Sequence, residues 1–178
     1  LSRIRIIGGD WRSRLIDVRT VKGLRPTPDR VRETLFNWLG QDMDGLRCLD
    51  LFAGSGALGF EAASRGAASV TMIEQDPVAL AALQANAKTL QATCVQIVRG
   101  DALNFARSTA QPFDVVFVDP PYRAGWIDRI APLLPKLLSD EGLVYVEAEY
   151  KIDNIDRLTR IKHGAAGQVY YHLFARAD

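Results

Sequence analysis

Apolar residues recur along this chain in two rhythms, and the switch between them divides it. Ile4 and Ile6, then Leu15, Ile16 and Val18, alternate with polar neighbours on either side of Gly8-Gly9-Asp10. That is the pattern of a small β-hairpin. A break from Gly23 to Pro26 follows, after which Thr27 is placed to cap a helix and Pro28 to open it. Val31, Leu35, Phe36 and Leu39 share one face of that helix, which ends near Gly40. From Leu46 onward short, continuously apolar runs alternate with helical stretches. Strands are predicted at 47–52, 69–73, 94–98, 113–118 and 143–147, with helices at 58–64, 77–90, 102–107 and 126–138 between them. Pro132 and Pro135 should interrupt the last helix.

Fully apolar strands alternating with helices imply a parallel sheet covered on both faces. Two further runs, 155–161 and 169–174, lack a helix-length connection and are expected to close the sheet as an antiparallel edge. The expected fold is α/β: a doubly wound, mostly parallel, seven-stranded sheet. Residues 1–25 form a basic hairpin extension and residues 26–178 the main domain.

Length and composition change this picture little. A chain of 178 residues can bury roughly 70% of its unfolded surface without a metal or disulfide. Cys48 and Cys94 sit in apolar runs, as expected of reduced cysteines in a cytoplasmic protein. Only His163 and His172 could join a metal cluster, so no metal is expected. No apolar stretch approaches a membrane span and no signal-peptide pattern is present, so no membrane association is expected.

Charge is more telling once it is divided. Overall it is +1, but residues 1–32 carry nine basic side chains against three acidic ones, a net +6. The remainder is −5, with thirteen basic and eighteen acidic groups. A basic arm on an acidic body suits a polyanionic partner, although an arginine-rich solvated hairpin would look the same.

Ligands of doubly wound sheets bind beyond the carboxyl ends of the strands. At the first such end lies Asp50-Leu51-Phe52-Ala53-Gly54-Ser55-Gly56-Ala57-Leu58-Gly59, with Glu74 ending the next strand. The glycines match a dinucleotide fingerprint, which makes a dehydrogenase a rival. Asp50 speaks against it, because a carboxylate there would repel a pyrophosphate. The same carboxylate suits S-adenosylmethionine, which carries an ammonium and a sulfonium and no phosphate. Gly54 and Gly56 would admit its methionine portion, with Asp50 facing the ammonium. Glu74 would accept the ribose hydroxyls, and Asp101 and the Ala102 amide would face the adenine. Phe52, Ser55 and Gln75 belong to the same cofactor-binding set.

Asp119-Pro120-Pro121-Tyr122 ends the fourth strand of the main sheet. Paired prolines fix a rigid corner there. The Asp119 carboxylate and the Pro120 carbonyl then offer two acceptors to the two hydrogens of an exocyclic amino group. Such a nitrogen is a weak nucleophile, and holding both hydrogens turns its lone pair toward a sulfonium methyl. Tyr122 supplies a flat face for the base, which would be extruded from its stack to reach it.

These residues resemble the class I methyltransferases, within them the amino-methylating subset with Asp/Asn-Pro-Pro-Tyr/Phe. Arg5-Ile6-Ile7-Gly8-Gly9, Trp11-Arg12, the run from Arg25 to Asn37, the run from Leu49 to Gly59, the run from Val144 to Glu149 and Gly167-Gln168-Val169 extend the resemblance over nearly the whole chain. Together they look like the bacterial small-subunit ribosomal RNA guanine-N2 methyltransferase family. That resemblance implies a Rossmann-like fold and transfer of a methyl group from S-adenosylmethionine to one guanine amino group of 16S RNA. The substrate implied is the assembled or assembling 30S subunit, engaged by a monomer without an obligatory protein partner. Arg3, Arg5, Arg12, Arg14, Arg25, Thr27, Arg30 and Arg32 would then contact RNA, with Arg25, Thr27 and Arg30 nearest the base.

Three rivals remain. An adenine-N6 DNA methyltransferase usually carries a separate target-recognition domain, for which there is no room. A protein-glutamine methyltransferase favours Asn at position 119 and needs no basic arm. A non-catalytic RNA-binding assembly factor could dispense with Asp119 or Gly54, and both are present. No role for Glu147 or Glu149 is legible beyond ending a strand.

Overall fold

The structure, a computed structural model, describes residues 2–19 and 27–177. β1 (Ser2–Arg5) and β2 (Leu15–Val18) pair antiparallel as the expected hairpin. α1 (Asp29–Trp38) leads to β3 (Arg47–Asp50), α2 (Ala57–Ser64), β4 (Ser69–Glu74), α3 (Pro77–Leu90), β5 (Val95–Arg99), α4 (Ala102–Ser108) and β6 (Phe113–Val118). The prolines divide the next helical stretch as predicted. It becomes α5 (Trp126–Ile130), a 3-10 turn at Ala131–Leu133 and α6 (Leu134–Leu137).

β7 (Leu138–Ala148) starts five residues before the expected strand. β8 (Leu158–Ala166) and β9 (Val169–Arg176) complete a seven-stranded sheet ordered β5-β4-β3-β6-β7-β9-β8. The first five of these are mutually parallel, and β9 inserts antiparallel between β7 and β8.

Alternate residues of each central strand serve opposite cores, which is why the strands are apolar throughout. Cys48, Val115, Phe117 and Tyr145 face the hairpin and helices α1–α3. Leu49, Val116, Val118, Val144 and Val146 face helices α4–α6. The hairpin has its own small sheet but no separate core, since Ile4, Ile6, Ile16 and Val18 are buried in the first of these clusters.

A buried carboxylate seats the hairpin. Glu61 of α2 accepts the Ile7 and Gly8 amides at 2.9 Å each, Arg32 at 3.2 Å and Arg65 at 2.9 Å. Those four bonds use all the acceptor sites of a carboxylate. Arg32 also donates to the Arg5 carbonyl at 3.0 Å and to Asp29. Gly9, at φ +80°, lies so close to the end of α2 that a Cβ would sit 1.9 Å from the Ser64 carbonyl oxygen. The hairpin turn therefore packs at the end of α2 remote from the glycine turn.

Candidate active site

The carboxyl ends of β3, β4 and β6 open into one cavity of about 280 Å³. Asp50, Phe52, Gly54, Ser55, Glu74, Gln75 and Ala102 line it, as do Thr27, Asp119, Pro120, Pro121 and Tyr122. The structure thus brings together residues predicted from three separate motifs.

The glycine turn owes its shape to two demands. Gly54 and Gly56 both have positive φ, +54° and +84°, where glycine alone is unstrained. A Cβ on Gly56 would meet Phe60 and Leu83 at 2.5–2.6 Å, so this glycine serves packing and does not line the cavity. The Gly54 amide donates to Glu74 at 2.8 Å, and the other Glu74 oxygen accepts from Gln75 and Asp76 at 3.0 and 2.9 Å. Three amides hold that carboxylate at the rim with acceptor capacity to spare. Asp101 caps α4 by accepting from Asn104 at 3.0 Å, and the cavity wall there is formed by Ala102.

Asp50 is almost completely buried, and its Oδ1 has no hydrogen-bond partner within the protein. Burial, followed by the nearby Glu74 charge, pushes its carboxyl up to about 7. An orphaned acceptor at the floor of a cavity fits the cationic end of a ligand. The Asp50–Glu74 arrangement therefore suits the amino-acid and ribose ends expected of S-adenosylmethionine.

In the same cavity, Thr27 donates its hydroxyl to Asp119 Oδ2 at 3.1 Å. This corrects the expectation that Thr27 caps α1. Pro28 is the cap residue, no side chain caps the helix, and the hydroxyl is drawn to the carboxylate instead. Glu147 of β7 stands beside Asp119 in the cavity and accepts the Tyr145 hydroxyl at 2.7 Å. Burial, and then Glu147 itself, drive the Asp119 carboxyl well above its usual range, and burial raises Glu147 as well. The two carboxyls stand at adjoining strand ends, where the charge of Glu147 favours the protonated form of Asp119.

Trp126 also lines the cavity, edge-on to Phe52 at 5.2 Å between ring centroids. Neither Glu147 nor Trp126 was predicted. The signal available for Glu147 was its position, a lone acid in the apolar run Val144–Ala148 at the same end of the sheet as the other acids.

The basic residues divide. Arg3, Arg5, Arg12, Arg14 and Arg30 are exposed. Arg32 is not: its side chain is 1% exposed, bound to Glu61 and Asp29. An exposed, RNA-facing Arg32 is thus corrected, because the buried carboxylate of Glu61 demands a cation inside the core. Arg25 lies outside the described residues. Among the described residues, no group of His, Cys, Asp and Glu could hold a metal, and no helix is long and apolar enough to cross a membrane.

The family model described as "Conserved hypothetical protein 95" matches residues 4–175. An Escherichia coli ribosomal RNA small subunit methyltransferase D is 45% identical, the match covering 98% of this chain and 90% of that protein. A Haemophilus influenzae protein of the same name is 42% identical over 96% of this chain and 93% of its own. A solved Escherichia coli structure, described provisionally as a methyltransferase, superposes with a TM-score of 0.89 at 46% identity, covering 98% of both chains.

Proposed function

This chain belongs to the conserved hypothetical protein 95 family, alongside proteins named ribosomal RNA small subunit methyltransferase D, and from that premise we propose that it methylates the N2 amino group of a guanine in small-subunit ribosomal RNA. The methyl donor is S-adenosylmethionine, whose sulfonium supplies an electrophilic methyl group. The observation that carries the reading is the pair of carboxylate sites, Asp50 and Asp119, in one cavity. Asp50, with its unpaired oxygen, takes a cationic amino-acid end, and Asp119 takes an amino group.

Glu74 and the Ala102 edge hold the ribose and adenine. Asp119 and the Pro120 carbonyl hold the two amino hydrogens, which aligns the lone pair and stabilises positive charge as it develops on nitrogen. Tyr122 stacks on the extruded base. The exposed arginines of the hairpin and Arg30 bind phosphates of the surrounding RNA, with affinity that falls steeply as salt rises. The hairpin turn lies at the far end of α2 from the cavity, so this footprint extends well beyond the target nucleotide and fits a folded substrate such as the 30S subunit. A monomer in the cytoplasm suffices for this scheme.

Purified protein given radiolabelled S-adenosylmethionine should label small subunits from a strain lacking the enzyme, and nucleoside digestion should release N2-methylguanine. Recovery of N6-methyladenine would overturn the base assignment. Label in DNA or protein instead of RNA would overturn the substrate class.

Asp50 makes cofactor affinity depend on pH. The ammonium of S-adenosylhomocysteine prefers the ionised carboxylate, so binding is complete above about pH 7 and weakens about tenfold per unit below it. Stability of the unliganded protein runs the other way. Between the ordinary carboxyl value of 3.8 and about 7 the folded chain holds a proton on Asp50 that the unfolded chain has released, so this group lowers stability as pH rises through that window. Calorimetric titration from pH 5.5 to 8 measures the affinity limb. Binding that stays flat across this range would remove Asp50 from the ammonium site.

A further inference from the structure

Glu147 is the one buried acid of the cavity that methyl transfer as described above does not use. Val118 of β6 and Val146 of β7 are register partners in a parallel pair, which places Asp119 and Glu147 side by side at adjoining strand ends. Glu147 is 4% exposed, and the phenol that fixes it, Tyr145, is completely buried. Thr27 donates to Asp119 and can supply a single hydrogen. A second carboxylate held rigidly in such a place disfavours folding, and buried acids of this kind cluster where they contact a ligand.

The two acceptors match one kind of base edge. Guanine presents adjacent donors, the ring N1–H and the N2 amino hydrogens. Adenine presents an amino donor beside an unprotonated N1, which a carboxylate repels. We propose that Glu147 accepts the N1–H of the target guanine while Asp119 accepts from its N2, so that the pair selects guanine over adenine; this rests on the guanine-N2 reading above.

Any proton held on the pair leaves for solvent as the two base hydrogens take its place. During transfer a bond forms from N2 to the methyl carbon and the carbon–sulfur bond breaks, leaving a neutral thioether. The surplus proton on the cationic N2 then passes to the carboxylate pair.

The test uses small subunits reconstituted with guanine or 2-aminopurine at the position that the wild-type enzyme labels. 2-Aminopurine keeps the amino group but has an unprotonated N1. Wild-type enzyme should methylate guanine at least about 100-fold faster, as expected for a pair of well-formed base-edge contacts. Glu147→Gln should lose about 100-fold on guanine yet hold or gain on 2-aminopurine, because its amide N–H2 can donate to N1. Its amide oxygen still accepts the Tyr145 hydroxyl, which preserves the local packing.

Equal losses on both bases would mean that Glu147 is merely structural and would overturn the proposal. If the variant does not fold, the wild-type comparison decides: equal rates on guanine and 2-aminopurine also overturn it. A wild-type enzyme that labels no guanine at all points instead to failure of the base assignment itself.

Discussion

Asp119→Ala is expected to lower methyl transfer by about 10³-fold while changing the Kd for S-adenosylhomocysteine less than threefold. The separation follows from where the carboxylate stands. It directly follows β6, and its hydrogen-bond partner is Thr27, outside the glycine turn and Glu74 that form the cofactor end. Its loss removes the acceptor that orients the amino group and leaves the Pro120 carbonyl alone to do so. Asp119→Asn keeps one acceptor oxygen and should lose far less, about tenfold, mainly through the missing charge.

Stability should separate the same way. Asp119 is raised by burial and by Glu147, so removing it relieves a repulsion, and the alanine protein should melt no lower than the wild type. Single-turnover assays with saturating cofactor, paired with calorimetric titration, measure both quantities. A loss of cofactor binding comparable to the loss of rate would place Asp119 in the cofactor site.

The second large effect concerns folding. Glu61→Ala should destabilise the protein by about 3–5 kcal/mol, because it leaves Arg32 buried without its main counter-charge and strands the Ile7 and Gly8 amides. For a domain of this size that corresponds to a fall in Tm of about 10 °C. Urea unfolding should show a lower midpoint, and proteolysis of the folded protein should cut first within residues 2–19. Replacing Arg32 by methionine together with Glu61 by leucine should recover part of the loss, since an apolar pair strands no charge although the amides still lack an acceptor. A melting temperature within 2–3 °C of wild type for Glu61→Ala would show that the hairpin is held by its apolar residues alone.

Much of the architecture was legible because its causes are local. The strand-to-helix turn at Gly54–Gly56, the Asp76-Pro77 start of α3 and the proline breaks between α5 and α6 each follow from the conformational limits of a few adjacent residues. The candidate site was legible as far as its residues fell in such segments. What the chain concealed depends on partners distant in sequence. Thr27 looks like a helix cap until Asp119, 92 residues away, draws its hydroxyl. Arg32 sits in a basic run and looks solvated, while its counter-charge is a glutamate 29 residues on in an otherwise alanine-rich helix. Glu147 reads as a strand terminus until the register of β6 against β7 is known.

The place of β9 has a consequence for how the protein is made. β8 finds a partner in the sheet only through β9, which pairs with it on one side and with β7 on the other. During synthesis β8 leaves the ribosome before that partner exists, and the sheet cannot close until residues up to about Arg176 have cleared the exit tunnel. The parallel half can assemble while translation continues, whereas β7 waits with an open edge. A chain stalled before β9 would therefore expose that edge to other nascent chains, which makes the pairing of β9 the step that closes the sheet.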